Sequence, residues 1–172
     1  IYRPGWILGQ SNTGAVSAEK NHLLLLIKGC IQMGCAPNWQ ARLSILPVDF
    51  LSHLIIDLSV NTEIKENIFN LANPNIITWL ELMNYINHFF YKVDIVSVDV
   101  WKDKYLKNLD QGNALFNLLT IYATSSSDWV KNLDDKCNVD DSNTEKALKK
   151  LNLKYPSIDN TLLDKYFTYL IK

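Results

Sequence analysis

Ile1-Tyr2-Arg3-Pro4-Gly5-Trp6-Ile7-Leu8-Gly9-Gln10-Ser11-Asn12-Thr13-Gly14 is the stretch from which the fold is read. Its first residues read as a strand that runs straight into a turn at Pro4-Gly5, and residues 9–18, rich in Gly, Ser and Asn, read as a loop. Domains seldom begin inside a strand pattern, so the chain is expected to be a piece of a longer protein. After the loop, Leu23, Leu24, Ile27 and Ile31 recur at helical spacing and predict a helix over roughly 19–34. Gly34 is its expected terminator, with Pro37 shortly beyond.

Further along, Arg42 to Val48 reads as a short strand ending at Pro47, and Asp49 is expected to cap the helix that follows, not to act as a catalytic acid. Phe50, Leu51, Leu54, Ile55 and Leu58 give that helix one buried face. Asn67 to Leu71 predicts another strand, and Asn73-Pro74-Asn75 is turn chemistry. Thr78-Trp79-Leu80-Glu81 is a capping box, in which hydroxyl and carboxylate satisfy orphan amides at a helix start. That helix should end near Phe90, and Asp94 to Val100 alternates well enough for one more strand. Trp101 to Val130 is helical and aromatic-rich, broken at Asp110-Gln111-Gly112 and Ser125-Ser126-Ser127. Asn132 to Asp141 is polar and loop-like; Ser142-Asn143-Thr144-Glu145 reads as a second capping box. A last helix presents Leu162, Leu163, Tyr166, Phe167, Leu170 and Ile171 on one face. The class is α/β at first and mostly helical afterwards, with no internal repeat.

Composition excludes several classes. The 172 residues predict one domain, or one with a small appendage. With 48% apolar and 20% charged residues the chain can build a core. Lys+Arg number 17 against 18 Asp+Glu, a formal net charge of -1, so neither nucleic acid nor a membrane surface is an expected partner. The longest aliphatic run, Leu23 to Ile27, falls far short of the roughly 18 residues of a membrane span. No signal-peptide pattern opens the chain, and a cytoplasmic location is expected. The odd set Cys30, Cys35 and Cys137 suggests free thiols in a reducing compartment. The Cys30–Cys35 spacing is not a usual zinc pair, and His22, His53 and His88 are scattered helix-face residues, so no metal is expected.

The chain contains no dinucleotide-phosphate glycine motif, no P-loop and no nucleophile elbow. None of its eight tyrosines has Lys four positions on. What it does carry, in order, is the opening segment through Gly14, then Leu46-Pro47-Val48-Asp49-Phe50-Leu51, Ile68-Phe69-Asn70-Leu71-Ala72-Asn73-Pro74, Thr78-Trp79-Leu80-Glu81-Leu82, and Tyr155-Pro156-Ser157-Ile158-Asp159 before the final helix. This series resembles the C-terminal part of the thioester reductase domains of polyketide synthases and nonribosomal peptide synthetases, which are extended short-chain dehydrogenases. It is also similar to carboxylic acid reductases and, more distantly, to fatty acyl-CoA reductases. The resemblance covers nearly the whole chain, and its first segment is the most specific.

The resemblance implies a Rossmann part whose Gly-rich loop, catalytic Ser or Thr and Tyr-x-x-x-Lys pair would precede Ile1. Residues 1–100 would hold the last Rossmann-type elements interleaved with substrate-subdomain helices and strands, and 101–172 a helical cap with the C-terminal helices. It implies NADPH as cofactor and, as partner, an acyl or peptidyl carrier protein bearing a phosphopantetheine-linked substrate. Thioester reduction needs a hydride donor and a positioned proton donor for the developing oxyanion. Tyr2 lacks the Lys spacing and is read as packing. In the family, the Arg3-Pro4-Gly5 turn passes beside the nicotinamide, so these three are the expected cofactor contacts; a strand end that merely turns is the alternative. Gln10, Ser11 and Thr13 are the expected substrate contacts of the next loop, with a solvated loop as the alternative. Trp101, Tyr105, Leu115, Phe116, Tyr122 and Trp129 read as core from spacing alone, whereas the resemblance implies a lid over the acyl chain, with Trp101 and Phe116 facing it. The isolated chain is expected to be inactive. A helical interaction module that docks a carrier protein, or part of a fatty acyl-CoA reductase, are the other readings.

Overall fold

A computed structural model describes residues 1–124 and 139–170. In chain order its longer elements are β1 (Tyr2–Pro4), β2 (Trp6–Leu8), α1 (His22–Met33), β3 (Cys35–Pro37), β4 (Ile45–Pro47), α2 (Val48–Val60), β5 (Phe69–Leu71), α3 (Trp79–Phe89), β6 (Asp94–Val96), α4 (Ser142–Leu151) and α5 (Asn160–Leu170). They belong to two compact units of interleaved segments: Ile1–Val16, Leu43–Ile77 and Cys137–Lys172 form the first, Ser17–Arg42 and Thr78–Lys136 the second.

The first unit is built on parallel strands. β1 pairs with β5 in the register Tyr2↔Phe69, and β2 pairs with β4 in the register Trp6↔Ile45. Successive amides of an extended chain point to opposite edges. Accordingly the Gly5 amide donates to Leu71 O at 3.1 Å and the next, Trp6, to Ser44 O at 2.9 Å, so β1 and β2 act as one strand changing partner at Gly5. The turn expected at Pro4-Gly5 is thus a switch of partner within an extended strand. The adjoining core collects Leu46, Leu51, Leu54, Leu58, Phe69 and Leu71 with Ala147 and Leu148 of α4. Asn73, almost wholly buried, ties the unit together: its amide nitrogen donates to Ile45 O at 2.9 Å and Pro156 O at 3.0 Å.

Two helix starts differ from expectation here. α2 begins at Val48 with Pro47 as the capping residue and no side-chain cap, so Asp49 lies inside the first turn and is not the cap. At α4 the second capping box does not form, because Ser142 is already helical behind Asp141. Its amide is taken by Asp140 Oδ1 at 3.0 Å, and the wholly buried Thr144 hydroxyl donates across to Asn70 O at 2.9 Å.

In the second unit, α1 starts later than predicted. Ala18–Lys20 forms a separate 3-10 turn, and Asn21, extended at φ -112°, caps the helix by accepting from Leu24 N at 3.1 Å. Gly34 ends it in the left-handed region at φ 68°, as its position predicts. β3 and β6 pair in parallel from Cys35↔Asp94. The capping box of α3 forms in full: Glu81 N donates to Thr78 Oγ1 at 3.1 Å and Thr78 N to Glu81 Oε2 at 2.7 Å. The strand predicted over Asp94 to Val100 stops at Val96, because Ser97 caps a helical turn by accepting from Val100 N at 3.3 Å. From there Trp101–Tyr105 is a π-helical turn, and Leu119–Thr124 a short α-helix. The expected break at Asp110-Gln111-Gly112 is a turn closed by Gly112 N on Asp110 Oδ1 at 2.6 Å.

Ser125 to Ser127, Trp129, most of the loop expected at 132–141, Cys137 and Ile171 lie outside the described residues. Cys30 and Cys35 are free and buried. Among the described residues, no helix is long and apolar enough to cross a membrane, and no cluster of three His, Cys, Asp or Glu could hold a metal ion.

Candidate functional site

In open parallel sheets ligands bind beyond the carboxyl ends of the strands. In the first unit that edge is occupied by the loop after β2 and by the start of α2, joined where Val48 N donates to Gly9 O at 3.3 Å. The loop organises itself around Gln10. The Gln10 Oε1 atom accepts from Asn12 N at 2.8 Å, Thr13 N at 2.7 Å and the Thr13 hydroxyl at 2.9 Å. Thr13 Oγ1 in turn accepts from Ala15 N at 3.2 Å. Backbone bonds from Gln10 N to Ala15 O at 3.0 Å and from Gly14 N to Gln10 O at 2.8 Å close the turn.

Asp49 grips the loop from α2. Its carboxylate accepts the Ser11 amide at 3.0 Å and the Ser11 hydroxyl at 2.6 Å. Burial alone would raise this carboxyl, but the bonds from Ser11, with the helix-start amides of Asp49 and Phe50, outweigh it and hold the group below its usual range. From the other side α5 closes on the same loop. Lys165 Nζ donates to Ser11 O at 3.1 Å, and the buried Tyr166 hydroxyl donates to Gly9 O at 3.0 Å. Burial, and then the charge of Asp49, push the Tyr166 phenol well up. Gly14, at φ 72°, lies so close that a Cβ there would stand 2.1 Å from Lys165 O.

The expected substrate contacts Gln10, Ser11 and Thr13 therefore sit together at the carboxyl edge, with most of their polar atoms engaged in shaping the loop. The NH2 of Gln10 and the carboxamide of Asn12 have no hydrogen bond among the described residues. Of the expected cofactor contacts, Arg3 and Pro4 are exposed, and Arg3 has no hydrogen bond or ion pair among the described residues. At Gly5 the absent side chain has a local reason: a Cβ would meet Ser44 O at 2.6 Å and Ser44 Oγ at 3.0 Å. Lys165 and Tyr166, the partners of this loop on α5, are not foreseen from sequence. There Tyr166 is only one more residue of a buried face, and nothing local marks Lys165.

Trp101 and Phe116 belong to the second unit. Trp101 is wholly buried in an aromatic cluster, 5.4 Å from Trp39 and 5.7 Å from Tyr122 between ring centroids. Its indole N–H has no hydrogen-bond partner among the described residues. Tyr122 stacks on Trp39 at 5.8 Å and shares a 2.5 Å hydrogen bond with His22 Nε2. Phe116 is half-buried at a 3-10 turn.

Parallel strands, helical crossovers and a shaped loop at the carboxyl edge define a portion of an extended short-chain dehydrogenase fold, and comparison with known proteins narrows this. An NAD-binding family model described as "Male sterility protein" matches residues 1–55. A linear gramicidin synthase of Brevibacillus parabrevis is 30% identical over all of this chain, and L-2-aminoadipate reductase of Saccharomyces cerevisiae 27% identical over 87% of it. The terminal R domain of the myxalamid polyketide–nonribosomal peptide pathway superposes on 99% of the chain with a TM-score of 0.83 and 30% identity. In sequence and in fold the chain is similar to terminal reductase domains of nonribosomal peptide and polyketide synthases. It spans 3% of the gramicidin synthase polypeptide, 11% of the aminoadipate reductase and 43% of the R-domain chain. An archaeal thiolation-reductase di-domain shares the fold, with a TM-score of 0.77 at 22% identity.

Proposed function

We propose that the protein carrying this chain is an NADPH-dependent thioester reductase that releases a carrier-bound acyl or peptidyl chain as an aldehyde or alcohol. The observation that carries this reading is the match to the myxalamid R domain along 99% of the chain. The carrier-protein partner is supported by the synthase relatives and the thiolation-reductase di-domain.

Bound NADPH would supply the hydride, but the residues present here do not make its main site. Each amide from Gln10 to Ala15 is already hydrogen-bonded within the first unit, so this loop has no free N–H row to cradle a pyrophosphate. This loop is therefore not the cradle for the cofactor's phosphates. At Gly5 the direction a Cβ would take is filled by Ser44. Arg3, exposed and unpaired among the described residues, is the group here able to meet an anionic part of the cofactor.

What the chain contributes is the substrate side. The Gln10 NH2 and the Asn12 carboxamide are the uncommitted hydrogen-bonding groups of the loop, suited to the amides of a pantetheine arm. Ser11 and Thr13 hold those groups in place. Phe116, half-buried, is the acyl-facing candidate of the second unit, while Trp101 serves as its core.

The test is NADPH oxidation by the full-length protein with an acyl-pantetheine thioester, with the product analysed. Aldehyde or alcohol formed in step with NADPH consumption is the expected result. Release of free acid without NADPH consumption, or no reaction with any carrier-bound thioester, would overturn the reading.

A further inference from the structure

The loop at the carboxyl edge is held far more firmly than a connection requires. Its Gly9 and Ser11 carbonyls are taken by Tyr166 and Lys165 of α5, from 157 and 154 residues away. Ser11 is fixed a second time by both oxygens of Asp49. Gly14 lets the loop backbone press against the carbonyl of Lys165 itself. A surface connection needs only its own turn bonds, and Gln10 already supplies those. The additional grip acts on one property of the loop, its placement relative to the sheet edge.

Such placement matters where a reacting group must be held to within a fraction of an ångström. A misplacement of about 1 Å can cost roughly a hundredfold in rate. Lys165 and Tyr166 do not point past the loop toward a ligand; their polar atoms end on loop carbonyls. Their contacts in this structure thus reach the carboxyl edge through the loop.

We propose that Lys165 and Tyr166 of α5, with Asp49 of α2, are positioning residues for the substrate arm, setting the placement of Gln10 and Asn12 at the carboxyl edge. This rests on the thioester-reductase reading and adds to it that the C-terminal helix tunes substrate handling without touching substrate. The arm, and not the cofactor, is what the loop aligns, because its backbone amides are unavailable to phosphate while the Gln10 NH2 and the Asn12 carboxamide are uncommitted.

The experiment uses the full-length protein and two thioesters of the same acyl group, one on pantetheine and one on a short thiol lacking the arm. Lys165→Met keeps the side-chain stem and removes the donor; Tyr166→Phe removes only the hydroxyl; Lys165→Arg restores a donor. With acyl-pantetheine, kcat/KM should fall about 10- to 100-fold in Lys165→Met and Tyr166→Phe. Lys165→Arg should recover most of the loss, and KM for NADPH should not move. With the armless thioester, wild type and variants should differ by less than about threefold, because no arm is there to be placed. A role confined to stability would lower the melting temperature and leave the ratio between the two thioesters unchanged, and that result would overturn the proposal. So would equal losses on both substrates, or a raised KM for NADPH. If wild type consumes NADPH with neither thioester, the reductase reading itself has failed, an outcome separate from an active wild type with indifferent variants.

Discussion

Replacing Gly14 with Ala places one methyl group against the backbone of α5. The added Cβ would lie 2.1 Å from Lys165 O and 2.6 Å from Lys165 C, inside any permitted contact, and neither atom belongs to a flexible side chain. Gly14 also sits at φ 72°, where a side chain costs roughly 1–2 kcal/mol. Relief of the overlap can come by compression, worth about 1–3 kcal/mol as for other overpacked sites. It can instead come by lifting the loop off α5, which breaks the Lys165–Ser11 and Tyr166–Gly9 bonds at about 0.5–1.5 kcal/mol each. Both routes give a similar figure, so the total loss should be about 2–5 kcal/mol. Gly34 supplies the control. Its φ of 68° carries the same conformational penalty, but nothing lies within 4 Å of the position a methyl group would take there. The unfolded-state effect of Gly→Ala is common to both and cancels. Urea denaturation of the two variants should therefore separate them by about 1–3 kcal/mol, Gly14→Ala being the less stable. Equal losses would mean that the loop does not press on α5.

Gly5→Ala should destabilise by about 1–3 kcal/mol, since its Cβ meets Ser44 O at 2.6 Å; retention of wild-type stability in denaturation would contradict that close approach. Thr78→Ala removes the hydroxyl half of the α3 capping box and should cost about 0.5–2 kcal/mol, measured the same way, with Thr78→Ser largely preserving it. Asp49 makes a pH-dependent contribution. Its folded value lies below the ordinary 3.8, so its stabilisation is complete above the unfolded titration and is lost as pH falls through the folded value. Stability of wild type should accordingly drop more steeply than that of Asp49→Asn on acidification below about pH 4, and parallel curves would refute the Asp49–Ser11 pairing.

Local signals are legible in the sequence, and distant ones are not. The Thr78–Glu81 box and the Gly34 terminator each depend on residues within a few positions, and both form as their spacing predicts. The apolar face of α2 is equally plain, with Leu51, Leu54 and Leu58 buried. The second box fails although its residue types are right, because Ser142 is already helical behind Asp141, while the neighbouring Thr144 hydroxyl is drawn to Asn70 O on β5, 74 residues away. Asp49 misleads for the same reason: its partner, Ser11, lies 38 residues upstream and leaves no local trace. Loop composition marks Gln10, Ser11 and Thr13 as interesting. Only the fold shows that Gln10 is the organiser, Ser11 the point of grip, and α5 the element that holds the Gly9 and Ser11 carbonyls.

The aromatic segment after β6 can be weighed by the same reasoning. Trp101, Leu106, Leu115 and Tyr122 are each no more than 2% exposed. Returning one large apolar side chain to water costs about 1.5–3 kcal/mol, so exposing all four would take about 6–12 kcal/mol. That is comparable with the whole stability of a typical domain, about 5–15 kcal/mol. A lid that opened by peeling these four residues away would come close to unfolding its unit at each turnover. On the proposed reductase reading, any local opening that admits a tethered substrate must therefore leave this cluster intact. On the same reading, half-buried Phe116, which lies outside this fully buried set, is the candidate to meet an acyl chain. Replacing Phe116 with Ala should then change the preference for acyl length at little cost in stability, whereas replacing Trp101 should cost stability first. Turnover across a series of acyl lengths, set beside urea denaturation of the same two variants, checks this. A Phe116→Ala protein with an unchanged length preference would take Phe116 out of the acyl path.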